Sequence, residues 1–290
     1  MRLELTLPYR PPYDLEALLR FFAARAIPGV EQVESGAWRR AVSTPGFQGV
    51  ISVRAATDGS PALELSLTSA RRPAAPVVEA IRRGVTRVFD LDADPEAVQA
   101  HLGKDRRLAP LLAARPGLRI AGAFDPFEMS VRGIVGQQIS VKGAVTILGR
   151  IAKAHGAPLE DARGLTRLFP GPEALAEADL APLGLTRARA EAVRRIARAL
   201  RDGALSLERG PSLEETVARL VALPGIGPWT AQYIAMRALG EKDAFVAGDL
   251  GVRKALARGG ALPTVAQAER RAERWRPFRA YAVMQLWAGA

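Results

Sequence analysis

With 290 residues, 48% of them hydrophobic and 24% charged, the chain is long enough for two or three packed domains and too apolar to be disordered. It has no cysteine and only His101 and His155 as histidines, which excludes disulfides, thiolate-held metals or clusters, a cysteine nucleophile and most histidine-based triads. The net charge of +11 favours an anionic partner such as nucleic acid, and it is uneven: residues 1–110 carry 15 basic and 13 acidic side chains (net +2), residues 111–290 carry 26 and 17 (net +9).

In chain order, Leu3–Leu7 alternates as a strand does, Asp14–Ala26 reads as a helix capped by Asp14, and Gly49–Val53 and Ala62–Leu67 read as further strands. Helices are expected at Pro76–Phe89 and Pro95–Leu102. Residues 1–110 are therefore predicted to form a small mixed α/β domain, an antiparallel sheet with helices.

Beyond Pro110 strand signals vanish. Helices are expected at about 126–154, 173–180, 187–202, 213–222, 229–239, 249–258, 264–274 and 277–288, several with Ser or Thr at the start or Gly at the end. Residues 111–290 are read as an all-helical domain, making the chain α+β overall. No run approaches the ~20 apolar residues of a membrane span, and Met1-Arg2-Leu3-Glu4 opens no secretory signal. A cytoplasmic protein with no membrane partner is expected.

The most informative segment is Leu223-Pro224-Gly225-Ile226-Gly227, between two apolar-periodic helices. Its glycines allow a sharp turn and close approach by another chain. With Ile226 plugged between the helices, the turn can direct backbone N–H groups at a phosphate. About 20 residues on, Asp249 stands at the start of a helix, where it would serve as an N-cap in an ordinary protein.

The hairpin together with Asp249 resembles the helix-hairpin-helix DNA glycosylase superfamily. The segments Pro11-Pro12-Tyr13-Asp14, Ala113–Arg119, Phe127–Ser140 and Ala272–Trp287 are similar to the bacterial 3-methyladenine DNA glycosylase II family over nearly the whole chain. The resemblance implies an all-helical domain with a cleft between two lobes. It also implies a monofunctional enzyme that flips alkylated bases such as 3-methyladenine out of double-stranded DNA and hydrolyses the N-glycosidic bond in base excision repair.

By the same resemblance Asp249 is catalytic, Gln138 in Gly136-Gln137-Gln138-Ile139 is the wedge, and Trp229, Tyr233, Trp287 and Phe21 form the base pocket. Superfamily members that also cut the strand carry a lysine where this chain has Trp229, so water is the expected nucleophile. No cofactor is required. A structural monovalent cation, Na⁺ or K⁺, is implied on the main-chain carbonyls of Val221, Leu223 and Ile226. Action as a monomer near the nucleoid is expected. Trp275 fills no such role and reads as core. Against this stand a non-catalytic DNA clamp, which needs the hairpin but not Asp249, and a glycosylase for oxidised or deaminated bases.

Overall fold

A computed structural model describes residues 1–160, 163–257 and 259–289. Five strands, β1 (Arg2–Pro8), β2 (Glu31–Glu34), β3 (Ala37–Thr44), β4 (Phe47–Ala55) and β5 (Ala62–Ser69), form one sheet in the order β1-β5-β4-β3-β2. All neighbours are antiparallel, and the registers Leu3↔Leu67, Leu5↔Leu65 and Leu7↔Leu63 put the alternating leucines of β1 and β5 on one face. Antiparallel pairing leaves the other face to water and polar side chains.

Helix α1 (Leu15–Ala23), capped by the Asp14 carboxylate on Ala17 N–H, packs Leu18 and Phe22 into that core. It is followed by α2 (Ala75–Phe89), α3 (Pro95–Leu102) and α4 (Leu108–Ala114).

The remaining helices are α5 (Pro126–Val135), α6 (Val141–His155), α7 (Pro172–Leu175), α8 (Arg187–Arg201), α9 (Leu213–Val221), α10 (Pro228–Arg237), α11 (Leu250–Ala255), α12 (Val265–Ala272) and α13 (Arg279–Ala288). Two hydrophobic cores result. One joins the sheet and α1–α4 to the C-terminal helices through residues such as Phe245, Trp275, Tyr281 and Leu286. The other packs α5, α6 and α8–α10 around Ile134, Ile151, Val193 and Ile234. The chain thus leaves the sheet lobe after α4 and returns to it with α11–α13, and a cleft opens where the two cores meet.

Several expectations are corrected. β2 and β3 were not expected, because Glu31-Gln32-Val33-Glu34 and Arg39-Arg40 break the apolar pattern. Their hairpin turns on Ser35 and Gly36, both at positive φ (51° and 72°), the geometry that suits the twist of a two-residue turn. The expected helix 126–154 is two helices, because Gln138 takes φ 54° and Ser140 starts α6 as an N-cap on Gly143 N–H.

The segment 173–180 shrinks to α7, followed by a 3₁₀ turn at Ala181–Leu183, and 264–274 ends in a 3₁₀ turn at Glu273–Trp275. Helix 249–258 stops at Ala255, with Arg258 outside the described residues. The apolar approach to Asp249 is an irregular turn fixed by Phe245 N–H donating to Gln232 Oε1 at 3.0 Å. Past residue 110 the described residues hold one isolated bridge, Pro158 with Arg167, and no strand. Trp275 is core, 2% exposed, its indole N–H on Asp105 Oδ2 at 3.0 Å.

Candidate active site

The two helices of the hairpin are α9 and α10. Ile226 is buried between them, and Ile226 N–H closes the turn on the Leu223 carbonyl at 3.0 Å. Gly225 sits at φ 99°, and a Cβ there would lie 2.6 Å from Ala192 Cβ on α8, so only glycine allows this approach. Gly227 starts α10 with no side-chain cap. The first-turn N–H groups of α10 therefore have no side-chain acceptor at the cap and lie at the positive end of the helix dipole.

The α5–α6 turn lies against this hairpin. Gln137 Nε2 donates to Gly225 O (3.3 Å) and to Thr230 Oγ1 (2.9 Å), and the Gln137 carbonyl accepts from Arg189. Gln138, next to this anchor, is exposed in the left-handed conformation that few non-glycine residues adopt. The anchor residue Gln137 has a structural role that sequence reasoning missed, although it stands in the same Gln-Gln pair.

Between the lobes lies a cavity of about 350 Å³. Phe21, Trp229, Tyr233, Asp249 and Trp287, drawn from three helices and the approach to α11, all line it. Trp229 and Tyr233, one helical turn apart on α10, stack with centroids 5.3 Å apart and planes at 18°. Trp287 faces Phe21 at 6.2 Å and 19°, and Tyr233 at 6.5 Å. Aromatic surfaces thus form one side of the cavity, and aliphatic side chains such as Met129, Ile139, Val145 and Leu148 line another.

Asp249 N-caps α11, its Oδ1 accepting Val252 N–H at 2.9 Å and Trp287 Nε1–H at 2.9 Å. Both of its hydrogen bonds among the described residues end on Oδ1, which leaves Oδ2 for a ligand or water. Gly251 makes this possible: a Cβ there would sit 3.1 Å from Asp249 Oδ1 and 3.3 Å from Trp287 Cδ1. The glycine two positions after the aspartate was a local signal that the sequence reading left unused.

The opposite wall carries arginines that no motif announced. Arg25 stands 3.6 Å over the Phe21 ring and donates to the Phe21 carbonyl at 3.2 Å, and burial pushes its guanidinium down to about 10. Arg237 lies 4.7 Å from the same ring, bonds Tyr233 OH at 2.9 Å and donates to the Ala121 carbonyl.

Arg132 belongs to a buried charge network. It bonds Glu128 (2.8 Å) and Glu31 (2.7 Å), while Arg40, directly opposite Glu31 across β2–β3, reaches Glu31 (3.0 Å) and Glu128 (3.1 Å). Burial raises the Glu128 carboxyl, but Arg40 and Arg132 outweigh it and hold the group at about 2. Arg132 also donates to the Arg25 carbonyl at 2.7 Å, so the network positions the α1 wall.

Neither histidine lines the cavity. His101 Nε2 lies 3.2 Å from the Arg274 carbonyl, and His155 closes α6.

Comparison with known proteins agrees with this geometry. Residues 4–125 match the AlkA N-terminal domain, and residues 131–279 match the HhH-GPD superfamily base excision DNA repair protein. The chain belongs to the HhH-GPD superfamily of base excision DNA repair proteins. Within this superfamily it is 37% identical over 97% of its length to Escherichia coli DNA-3-methyladenine glycosylase 2, covering 96% of that protein.

It is 42% identical, over 98% of its length, to a Mycobacterium tuberculosis protein named a probable bifunctional transcriptional activator/DNA repair enzyme AlkA. The chain spans 56% of the length of that relative. Among solved structures, the 3-methyladenine DNA-glycosylase from Archaeoglobus fulgidus superposes with a TM-score of 0.84 at 27% identity, covering 98% of this chain and 97% of that one. Among the described residues no helix is long and apolar enough to cross a membrane.

Proposed function

We propose that the protein is a monofunctional DNA glycosylase that hydrolyses the N-glycosidic bond of alkylated bases, 3-methyladenine among them, in double-stranded DNA. The observation that carries this reading is the Asp249 carboxylate in an aromatic-walled cavity beside the Gly225-Ile226-Gly227 hairpin.

The hairpin N–H groups hold a phosphate of the duplex and read no sequence. A target base inside a duplex is unreachable, so the nucleotide is flipped into the cavity and Gln138 fills the gap, at a cost of a few kcal/mol in unstacking. An alkylated purine is electron-poor, and the Trp229, Tyr233 and Trp287 faces bind it by stacking worth roughly 1–3 kcal/mol per base.

A cationic base leaves without prior protonation, so the site needs no general acid, in keeping with histidines placed elsewhere. Asp249, held by Val252 N–H and Trp287 Nε1–H, stabilises the oxocarbenium-like sugar and orients the attacking water. None of the cavity-lining residues is a lysine, which supports water rather than an amine as nucleophile and no strand cleavage.

The carbonyls of Val221, Leu223 and Ile226, at the negative end of α9 and in the turn after it, suit a hard monovalent cation, Na⁺ or K⁺. Such an ion would add positive charge where the hairpin meets a phosphate, and no chemical step passes through it. The reading includes action as a monomer in the cytoplasm, on the nucleoid DNA.

The test is free-base release from methylated duplex DNA by wild type and Asp249→Asn, with binding of both to an abasic-site analogue. Wild type releases 3-methyladenine without nicking the strand, and the variant loses on the order of 10³-fold in rate while still binding. Binding without release by either protein would overturn the enzyme reading in favour of the DNA clamp.

A further inference from the structure

Helix α11 has Asp249 at its N-terminal end and Leu256 just past its C-terminal end, and Leu256 lines a second depression. This groove, about 940 Å³, shares no lining residue with the aromatic cavity. Its charged lining is Lys104, Asp105, Arg106, Arg107, Arg271 and Arg274, five cations and one carboxylate, with His101 at the edge.

The carboxylate does not neutralise the groove. Asp105 accepts Arg107 N–H (2.8 Å) and Trp275 Nε1–H (3.0 Å), and its ion pair to Arg274 is 4.0 Å long. Two of the cations are fixed by the end of α11: Arg107 donates to Ala255 O and Arg271 to Leu256 O, each at 2.6 Å. They cap the carbonyls at the end of α11, which fixes two cationic groups in the floor of the groove. Lys104 and Arg106 are exposed and form no ion pair among the described residues.

We propose that this groove is a second nucleic-acid site that binds the phosphodiester backbone of DNA. A protein partner would need apolar or aromatic anchors to bury. The one large aromatic side chain here, Trp275, is already 2% exposed and hydrogen-bonded inward. What distinguishes the groove is its charge, five cationic side chains against one carboxylate with Pro110 and Leu256 between them, and that matches a row of phosphates. Seven residues at 1.5 Å rise separate Asp249 from Leu256 by about 10 Å along the axis. The backbone bound here therefore belongs either to the flank of the duplex under repair or to a second duplex. The inference rests on the reading of the protein as a DNA enzyme.

The test uses the full chain with Lys104→Ala/Arg106→Ala. Both side chains are exposed, and an unchanged thermal midpoint checks the fold. Affinity for undamaged DNA is measured against salt in two arms, a duplex of about four helical turns alone, and two labelled duplexes of about one turn whose bridging is read by energy transfer.

The double variant lowers the slope of log K against log salt by about 2 in the first arm if the flank is bound. It abolishes bridging in the second arm if a second duplex is bound. Base release from a one-turn lesion duplex stays at the wild-type rate. Slope and bridging both unchanged would overturn the proposal. Failure of wild type to release base from the short lesion duplex would overturn the glycosylase reading instead and leave the salt result standing.

Discussion

Two walls of the cavity are built on different physical terms. The wall from α10, α11 and α13 is made of neighbouring aromatic rings and one carboxylate, held by contacts among Trp229, Tyr233, Asp249 and Trp287. The wall from α1 carries Phe21 and Arg25 and is set by charge: Arg132 holds the Arg25 backbone, and Arg40, Glu31 and Glu128 hold Arg132. One wall is held by ring contacts and the hydrogen bond from Trp287 to the Asp249 carboxylate. The other depends on four buried charges from β2, β3 and α5, each useless without its partners.

The largest expected effect of breaking that contrast is at Glu128. Removing one member of a buried ion network strands the others, so Glu128→Gln should cost about 3–5 kcal/mol of stability, measured by denaturant unfolding near neutral pH. The pH dependence has a definite sign. A carboxyl held at about 2 when folded and near ~4.3 when unfolded contributes stability that is complete above pH ~4.5. That contribution is lost as pH falls toward 2. The gap between wild type and Glu128→Gln should therefore shrink in acid by on the order of 3 kcal/mol. A gap that stays constant from pH 6 to ~2 would mean the network does not hold Glu128 ionised.

Next in size is the aromatic wall. Trp287→Phe keeps the ring facing Phe21 and Tyr233 but removes the donor to Asp249 Oδ1. A hydrogen bond to a charged group is worth about 1.5–3 kcal/mol, so base release should slow about 10- to 100-fold with stability nearly unchanged. A variant equally slow at binding an abasic-site analogue would assign Trp287 to DNA contact rather than to holding the carboxylate.

The difference between the walls also explains what could be read from the sequence. Leu223–Gly227, Asp249 and the Trp229/Tyr233 pair lie within about 25 residues of one another, and their spacing on a hairpin and one helix face is a local property. Trp287 and Phe21 came from the family resemblance alone. They reach the cavity only because α13 and α1 pack beside α10, a tertiary fact with no local signature.

Arg25, Arg132 and Arg40 were invisible for a stronger reason: in a chain with 41 basic residues, a buried arginine looks like any surface one. The strand β3 was missed on the same account, since Arg40 points into the core where the alternation asks for an apolar residue. Its partners lie nine residues away at Glu31 and 88 away at Glu128. Gln138 at positive φ was equally illegible as a helix break, because glutamine carries no preference for that conformation.

The smallest expected effect sharpens the comparison most, because it asks what the charged wall does to the substrate. Among the described residues Arg25 forms no ion pair with a carboxylate; its partners are a ring and a main-chain carbonyl. Its charge therefore faces the cavity less compensated than that of Arg132. Like charges a few ångströms apart repel by a few kcal/mol at the effective dielectric of a protein surface. A cationic base entering beside Arg25 pays part of that cost, and a neutral one does not.

Arg25→Met retains the length and apolar stem over Phe21 and removes the charge. It should raise kcat/KM for a cationic methylated purine relative to a neutral lesion base by about tenfold, some 1.4 kcal/mol. The change should appear in the ratio between the two substrates, with thermal stability within about 1 kcal/mol of wild type. An unchanged ratio would mean that the Phe21 ring and the Phe21 carbonyl already absorb the charge, and that the two walls differ in how they are held but not in what they select.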